Sequence, residues 1–215
     1  MIPGEWRELA EFQLHIAERW RDRGMRTEDP FARFFFYFTG MNALYFLWSK
    51  ADRIRSRTQD QPPNEVRQIE HLLSKAGSSA AEVLGSVRDC VEYFTGRRPI
   101  ERMDKRSQGR ATVGDVREGR TARDALRGES DTERLQALGT IMYLVRSNLV
   151  HGSKMDQGDD QNIVEQAVRP RGHFEVGDLL HAVGTRGDIE CLATSRTART
   201  WTTPNYVAAA LELRS

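Results

Sequence analysis

Cysteine is scarce in this chain of 215 residues, which contains only Cys90 and Cys191. The two are far apart in sequence and form no CxxC pair, so we predict neither a disulfide framework nor a cysteine zinc site. The amino terminus lacks a basic segment followed by an apolar run, which argues against a secretory signal. These absences together favour a reducing, cytoplasmic setting.

Sequence signatures of metal and cofactor binding are also missing. The chain has no HxxxH or HExxH spacing, no GxGxxG or phosphate-binding GxxxxGK loop, and no GxSxG element. We therefore expect no metal and no cofactor. His15 and His71 fall beside apolar stripes and are interpreted as packed or edge histidines, whereas His173 and His181 lie in a tail with weak periodicity.

Charge of one sign is not in excess, because the formal net charge is only +1. Any attraction for nucleic acid must therefore come from local clustering. Arginines do cluster in residues 96–129, where large apolar residues are few. We predict an exposed, flexible insertion there, with short helical pieces at most. A basic arm that touches a polyanion is the alternative, but interspersed acidic residues dilute its field.

One apolar run, residues 31–48, approaches the length of a membrane span. It contains Arg33 and Asn42, and charged residues follow at once, so a buried bundle helix explains it better. We expect no membrane association. The many aromatic side chains are interpreted as core, with Tyr37 and Tyr45 as the members that could reach a surface.

Apolar periodicity predicts an all-α protein. The expected helices cover about residues 5–23, 28–55, 64–76, 79–95, 130–150 and 162–168, and the second should be the most buried because it is apolar nearly all round. Ser130 and Glu133 form a capping box at the start of the fifth, and Gly152 suits its end. We expect a helical domain over 1–168 and an irregular tail over 169–215.

The end of the fifth predicted helix combines Arg146 with His151. Arginine holds phosphate oxygens in a rigid fork, and histidine transfers protons near neutral pH. Five helical steps place the two residues about 140° and ~7.5 Å apart, so they do not face one point on a regular helix. This spacing favours a composite site in a dimer. The structural alternative is that both residues simply stabilise the helix end.

A division of labour follows from the residue types. Arg146 would neutralise a phosphoryl oxygen, and His151 would take the proton from a ribose 2′-hydroxyl or donate one to the leaving oxygen. Asn148 would orient the histidine or contact the phosphate, Ser147 is a further polar helper, and Lys154 would bind a flanking phosphate. RNA supplies its own nucleophile, so no metal is required.

The stretch RSNLVHGSK at 146–154 resembles the R-x(4–6)-H signature of HEPN domains, and the aromatic segment 34–45 is similar to their long aromatic helix. The resemblance covers about residues 1–168. It implies an all-α bundle that dimerises through the motif helices, with Arg146 and His151 as the catalytic pair. It also implies metal-independent endoribonuclease activity that leaves 2′,3′-cyclic phosphate ends, in toxin, phage-defence or RNA-processing settings, with an antitoxin partner for toxins.

Two departures from the family pattern stand out. Ser147 occupies the position after the arginine, where Asn, Asp or His is usual, so the polar helper would be weaker or displaced to Asn148. Ser153 stands where one toxin subgroup has a tyrosine that its antitoxin modifies, so regulation by that route is not expected. The alternative to an enzyme is a catalytically silent HEPN-type module that binds RNA or a protein.

Overall fold

The computed structural model describes residues 4–56, 64–100, 113–150 and 157–168, and this part of the chain forms helices without any strand. The prediction of an all-α fold is confirmed. A 3₁₀ turn at Gly77–Ser79 separates the third and fourth helices. The helices are α1 (Gly4–Met25), α2 (Pro30–Ser56), α3 (Glu65–Ser74), α4 (Ala80–Ser86), α5 (Arg88–Gly96), α6 (Val113–Leu126), α7 (Asp131–Val150) and α8 (Gln157–Val168).

The helices α1 and α2 form an antiparallel pair joined by a short turn. The carboxylate of Asp29 accepts hydrogen bonds from the first free amides of α2, those of Phe31 and Ala32, each at 3.2 Å. The two helices approach closely at two small residues, Gly40 and Ala17. A methyl group added at Gly40 would lie only 3.1 Å from the backbone oxygen of Ala17. This pair is the longest packed unit of the described fold.

The expectation that α2 is the most buried helix is wrong, because α7 holds that position. Phe31, Phe35 and Phe46 of α2 are 37%, 47% and 43% exposed, and helical geometry places these three positions on one stripe. α7 packs against α3, α4, α6 and α8 and is buried along most of its length. Composition shows that α2 is apolar, but it does not show which of its faces has a neighbour.

The close packing of α7 on α3 depends on a glycine. A methyl group added at Gly139 would lie 2.3 Å from Leu73 Cδ1 and 2.8 Å from Ile69 Cγ2, so the two helices meet where α7 has no side chain. Leu144, on the same helix, is fully buried. α7 is thus fixed along its length, and the residues near its carboxyl end have defined neighbours.

The region predicted as a flexible insertion differs from that expectation over 113–129. Residues 113–126 form α6, which packs against α7, with Ala122 and Leu126 buried one turn apart. Two apolar side chains at this spacing are enough to dock the helix, although the surrounding arginines concealed the signal. Residues 101–112, and the basic arm proposed for them, lie outside the described residues.

Two other helices have boundaries that differ from the predicted ones. The single helix expected at 79–95 is divided at Val87, whose backbone (φ −111°, ψ 24°) leaves the helical region between α4 and α5. The helix expected at 162–168 is confirmed and begins earlier, at Gln157. The tail 169–215 lies outside the described residues, as do Gly152 and the proposed helix stop. None of the described helices is both long enough and apolar enough to cross a bilayer.

The start of α7 offers a test of the capping box. The Ser130 hydroxyl accepts a hydrogen bond from the Glu133 amide at 3.4 Å, so Ser130→Ala is expected to lower the free energy of unfolding by about 1 kcal/mol. Ser130→Asp preserves an acceptor and should be nearly neutral. Urea denaturation of both variants measures the effect, and equal losses in the two would contradict a capping role.

Candidate active site

Arg146 lies in the last turns of α7, and its side chain is 26% exposed. It is therefore partly accessible to a ligand while packed against the bundle. Val150 is the final residue of α7, and His151 follows it directly in the sequence. His151 and Lys154 lie outside the described residues, so their distances from Arg146 are part of the prediction rather than of the described geometry.

Two other helices hold the Arg146 side chain. Its Nη1 atom lies 3.5 Å from Glu65 Oε2 on α3, and its guanidinium carbon lies 5.4 Å from the ring centroid of Phe38 on α2. The ring attracts the cation through its negative face, and the carboxylate attracts it by charge. Helices from three separate parts of the sequence therefore fix one guanidinium.

Glu65 is itself held firmly. It is the first residue of α3, where the helix dipole stabilises a negative charge, and Asn64 caps the same helix end by accepting from the Arg67 amide at 3.0 Å. Its second carboxylate oxygen, Oε1, accepts a hydrogen bond from the Tyr45 hydroxyl. Glu65 thus joins Tyr45 to Arg146 in one polar network.

Tyr45 is buried in α2, with only 3% of its surface exposed, so the expectation that it could reach a surface is wrong. Burial raises the pKa of its hydroxyl above the usual value, and the hydrogen bond and charge of Glu65 raise it further. The positive charge of Arg146 acts in the opposite direction. Tyr45 therefore stays protonated and donates permanently to Glu65 at neutral pH.

Among the described residues, Glu65 is the hydrogen-bond partner of the Arg146 guanidinium. A guanidinium has five N–H donors, and Glu65 engages one nitrogen at the long distance of 3.5 Å. The remaining donors keep the planar fork that binds two phosphate oxygens. Glu65 reduces the local positive potential, but it also orients the guanidinium before any ligand arrives, which lowers the entropy lost on binding.

Ser147 and Asn148 take interior positions instead. Their exposed fractions are 1% and 2%, so both side chains belong to the buried part of α7. The structure does not bring them to the surface that carries Arg146. Orientation of His151 by Asn148, one of the two roles predicted for Asn148, stays a prediction because His151 lies outside the described residues. Direct contact of either residue with RNA stays a prediction.

The residues that hold Arg146 were not anticipated from the sequence. Glu65 is separated from Arg146 by 81 positions, and no spacing rule connects them. The only available signal was local: an acidic residue after a capping asparagine marks a helix start, with no indication of what that carboxylate contacts. Phe38 and Tyr45 were interpreted only as members of an aromatic core.

Potential metal ligands are not grouped in the part of the chain that the structure describes. There, no set of three or more histidine, cysteine, aspartate or glutamate side chains is close enough to hold a metal ion. Comparisons with protein-family models, curated proteins and solved structures give no match for this chain. The function must therefore be argued from the residues and their geometry.

The Tyr45 hydroxyl can be tested by substitution. Tyr45→Phe is expected to lower the free energy of unfolding at neutral pH by about 1–2 kcal/mol, because Glu65 loses a buried donor. In wild type the pKa of Tyr45 is about 10 when the chain is unfolded, and it is higher when the chain is folded. The stabilisation is therefore complete below about pH 10 and declines as the pH rises above it.

Urea denaturation at about pH 8 and about pH 11 measures this difference. The stability gap between wild type and Tyr45→Phe should narrow at the higher pH, because only the wild type can release this proton on unfolding. A gap that stays constant or widens would show that burial and Glu65 do not raise the pKa of folded Tyr45 as described.

Proposed function

We propose that this chain is a HEPN-like, metal-independent endoribonuclease in which Arg146 and His151 act on a phosphodiester. The observation that carries the proposal is the state of Arg146: a partly exposed guanidinium, oriented by Glu65 and Phe38, near the carboxyl end of the best-packed helix. His151 follows that helix by one residue. A fixed cation beside a proton carrier is the minimum that phosphodiester cleavage in RNA requires.

The proposed reaction uses the substrate's own nucleophile. The ribose 2′-oxygen attacks phosphorus, and His151 in its neutral form takes the 2′-hydroxyl proton. The bond from phosphorus to the 5′-oxygen breaks, and that oxygen acquires a proton from water. Arg146 stabilises the charge that gathers on the non-bridging oxygens. The products are a 2′,3′-cyclic phosphate and a 5′-hydroxyl.

The site is proposed to be shared between two copies of the chain in a homodimer. Arg146 and the position of His151 lie about 140° apart around a regular helix. Pairing of two chains around a two-fold axis at the carboxyl ends of α7, where Val150 is 47% exposed, would bring each arginine opposite the partner's histidine. A cytoplasmic toxin, held by an antitoxin, or a phage-defence effector is the setting that we propose for such an enzyme.

A second function is favoured by the ion pair itself. Because Glu65 already neutralises Arg146, the arginine would also suit a catalytically silent HEPN-type module in which it joins α3 to α7. Such a module would bind RNA or a protein without cleaving it. The enzyme would produce cleaved RNA and the binding module would not, so this product distinguishes the two functions.

The test is incubation of the purified chain with total RNA in the presence of EDTA. We expect new fragments with 2′,3′-cyclic phosphate ends, and no cleavage of DNA of the same sequence, which lacks the 2′-hydroxyl. His151→Ala serves as the matched control and should be inactive. Intact RNA after prolonged incubation, or equal cleavage by the control variant, would contradict the proposal and leave the binding module.

A further inference from the structure

A second cluster of positive charge lies on α1, on a different part of the surface from Arg146. The carboxyl-terminal half of α1 and the turn after it form a groove of about 670 Å³. Arg19, Arg23 and Arg26 line it, and their spacing of four and three residues places them on one side of the helix. All three side chains are exposed.

Carboxylates of the same segment, such as Glu18 and Asp22, lie near these arginines in sequence, but the ion pairs of the described residues do not include the three. Asp22, the acidic residue that lines the groove, is occupied by Arg21 at 2.9 Å. Like charges at this spacing destabilise an isolated helix, so a bound anion would relieve a repulsion that the chain leaves in place.

Aromatic rings lie beside the same cations. Trp20 lines the groove and stacks on Phe36 of α2, with ring centroids 5.4 Å apart. The Arg23 guanidinium carbon lies 4.8 Å from the Phe36 centroid and 5.6 Å from that of Trp20. Bases of single-stranded nucleic acid stack on aromatic rings and on guanidinium groups while cations hold the phosphates. The groove supplies both kinds of contact.

We infer that this groove binds single-stranded RNA through its phosphates and at least one base. Identifying the strand as RNA rests on the proposed function, whereas the binding itself does not require cleavage. Phe36 contacts the groove residues Trp20 and Arg23, and Phe38 contacts Arg146. These two positions lie on nearly opposite sides of α2. The groove is therefore an anchoring site, roughly one helix diameter (~10–12 Å) or more from the catalytic arginine.

The experiment uses a fluorescent 2′-O-methyl oligouridine, which cannot be cleaved by 2′-hydroxyl attack. Fluorescence anisotropy gives its Kd between about 50 and 200 mM salt. Arg19→Gln/Arg23→Gln/Arg26→Gln is expected to weaken binding at low salt by at least about tenfold. It should also reduce the slope of log K against log salt by about 2, at ~0.7 for each phosphate contact.

The control variant has the same net charge. Arg88→Gln/Arg117→Gln/Arg120→Gln removes three exposed arginines from α5 and α6 and should bind like wild type. Equal weakening in both triple variants would overturn the proposal, because it would show attraction to overall charge alone. Unchanged binding in the groove variant would also overturn it.

The base contact is tested with a ligand that has phosphates and no bases. Trp20→Leu should weaken oligouridine binding roughly tenfold relative to the binding of inorganic polyphosphate. Trp20→Phe keeps a ring and should retain most of the preference, which guards against a folding defect. Equal affinity changes for both ligands would exclude a base-stacking groove. Cleavage of RNA by wild type is a separate readout, so either proposal can fail alone.

Discussion

Arg146→Gln is expected to lower the rate of RNA cleavage by about 10²–10³-fold, the usual loss when one transition-state donor is removed. Glutamine keeps one pair of amide N–H donors, but its side chain is shorter and it has no charge and no guanidinium fork. Arg146→Lys keeps the charge without the fork and should also lose most of the activity. Initial rates on a labelled RNA, with folding confirmed by circular dichroism, measure both changes.

A structural role for Arg146 must be separated from a catalytic one. Arg146→Gln leaves Glu65 without its cation, so displacement of α3 is a second explanation for a loss of activity. The double variant Arg146→Gln/Glu65→Gln removes both charges and keeps an acceptor for Tyr45. Because the pair is about one quarter exposed, its contribution to folding should be at most about 1 kcal/mol.

The double variant should therefore fold with nearly wild-type stability and remain inactive. Glu65→Gln alone should keep most of its kcat, with a changed KM, since it alters the orientation of Arg146 and leaves the guanidinium present. Recovery of activity in the double variant would show that Arg146 acts only through the ion pair. Wild-type cleavage by folded Arg146→Gln would remove it from the mechanism altogether.

The helices that could be predicted from the sequence are those with strong local signals. The α7 helix was predicted within a residue at its start, because a capping serine, an acidic first turn and an apolar stripe agree there. The α6 helix was not predicted, because its buried apolar side chains, such as Ala122 and Leu126, are small in number among many charges in the part that the structure describes. Burial of α2 was overestimated because periodicity reports a residue's hydrophobicity and not its neighbours.

The candidate site divides in the same way. Arg146 could be nominated from the sequence, because its chemistry and its position near a helix end are local facts. Its partners could not, because Glu65, Phe38 and Tyr45 reach it only through tertiary packing. The α1 groove could not be nominated from the sequence either, since nothing in α1 alone reveals that Phe36 lies beside its arginines.

The packing of α7 against α3 holds Arg146 in position relative to Glu65. A phosphate clamp must keep its geometry while the substrate changes charge and shape. Gly139 allows α3 to approach α7 closely, and the same α3 carries Glu65 at its first turn. The residue that sets the helix contact and the residue that orients the guanidinium therefore belong to one rigid pair of helices.

Mixing two inactive variants is expected to restore activity if the site is shared between subunits. Arg146→Gln retains His151, and His151→Gln retains Arg146. In a mixed dimer, one of the two composite sites then combines the intact arginine of one subunit with the intact histidine of the other. Random exchange makes about half of the dimers mixed, so total activity should reach about a quarter of wild type.

The restored activity must come from mixed dimers, which differently tagged subunits allow to be purified in tandem. Purified mixed dimers should cleave at about half the wild-type rate, since one site in two is complete. Mixed dimers that form but remain inactive would contradict a shared site. They would show that cleavage needs both residues in one subunit, since each subunit of the mixed dimer lacks either the cation or the imidazole. A chain that is monomeric by light scattering and still cleaves RNA would contradict it independently, and would require the segment after Val150 to return His151 to its own Arg146.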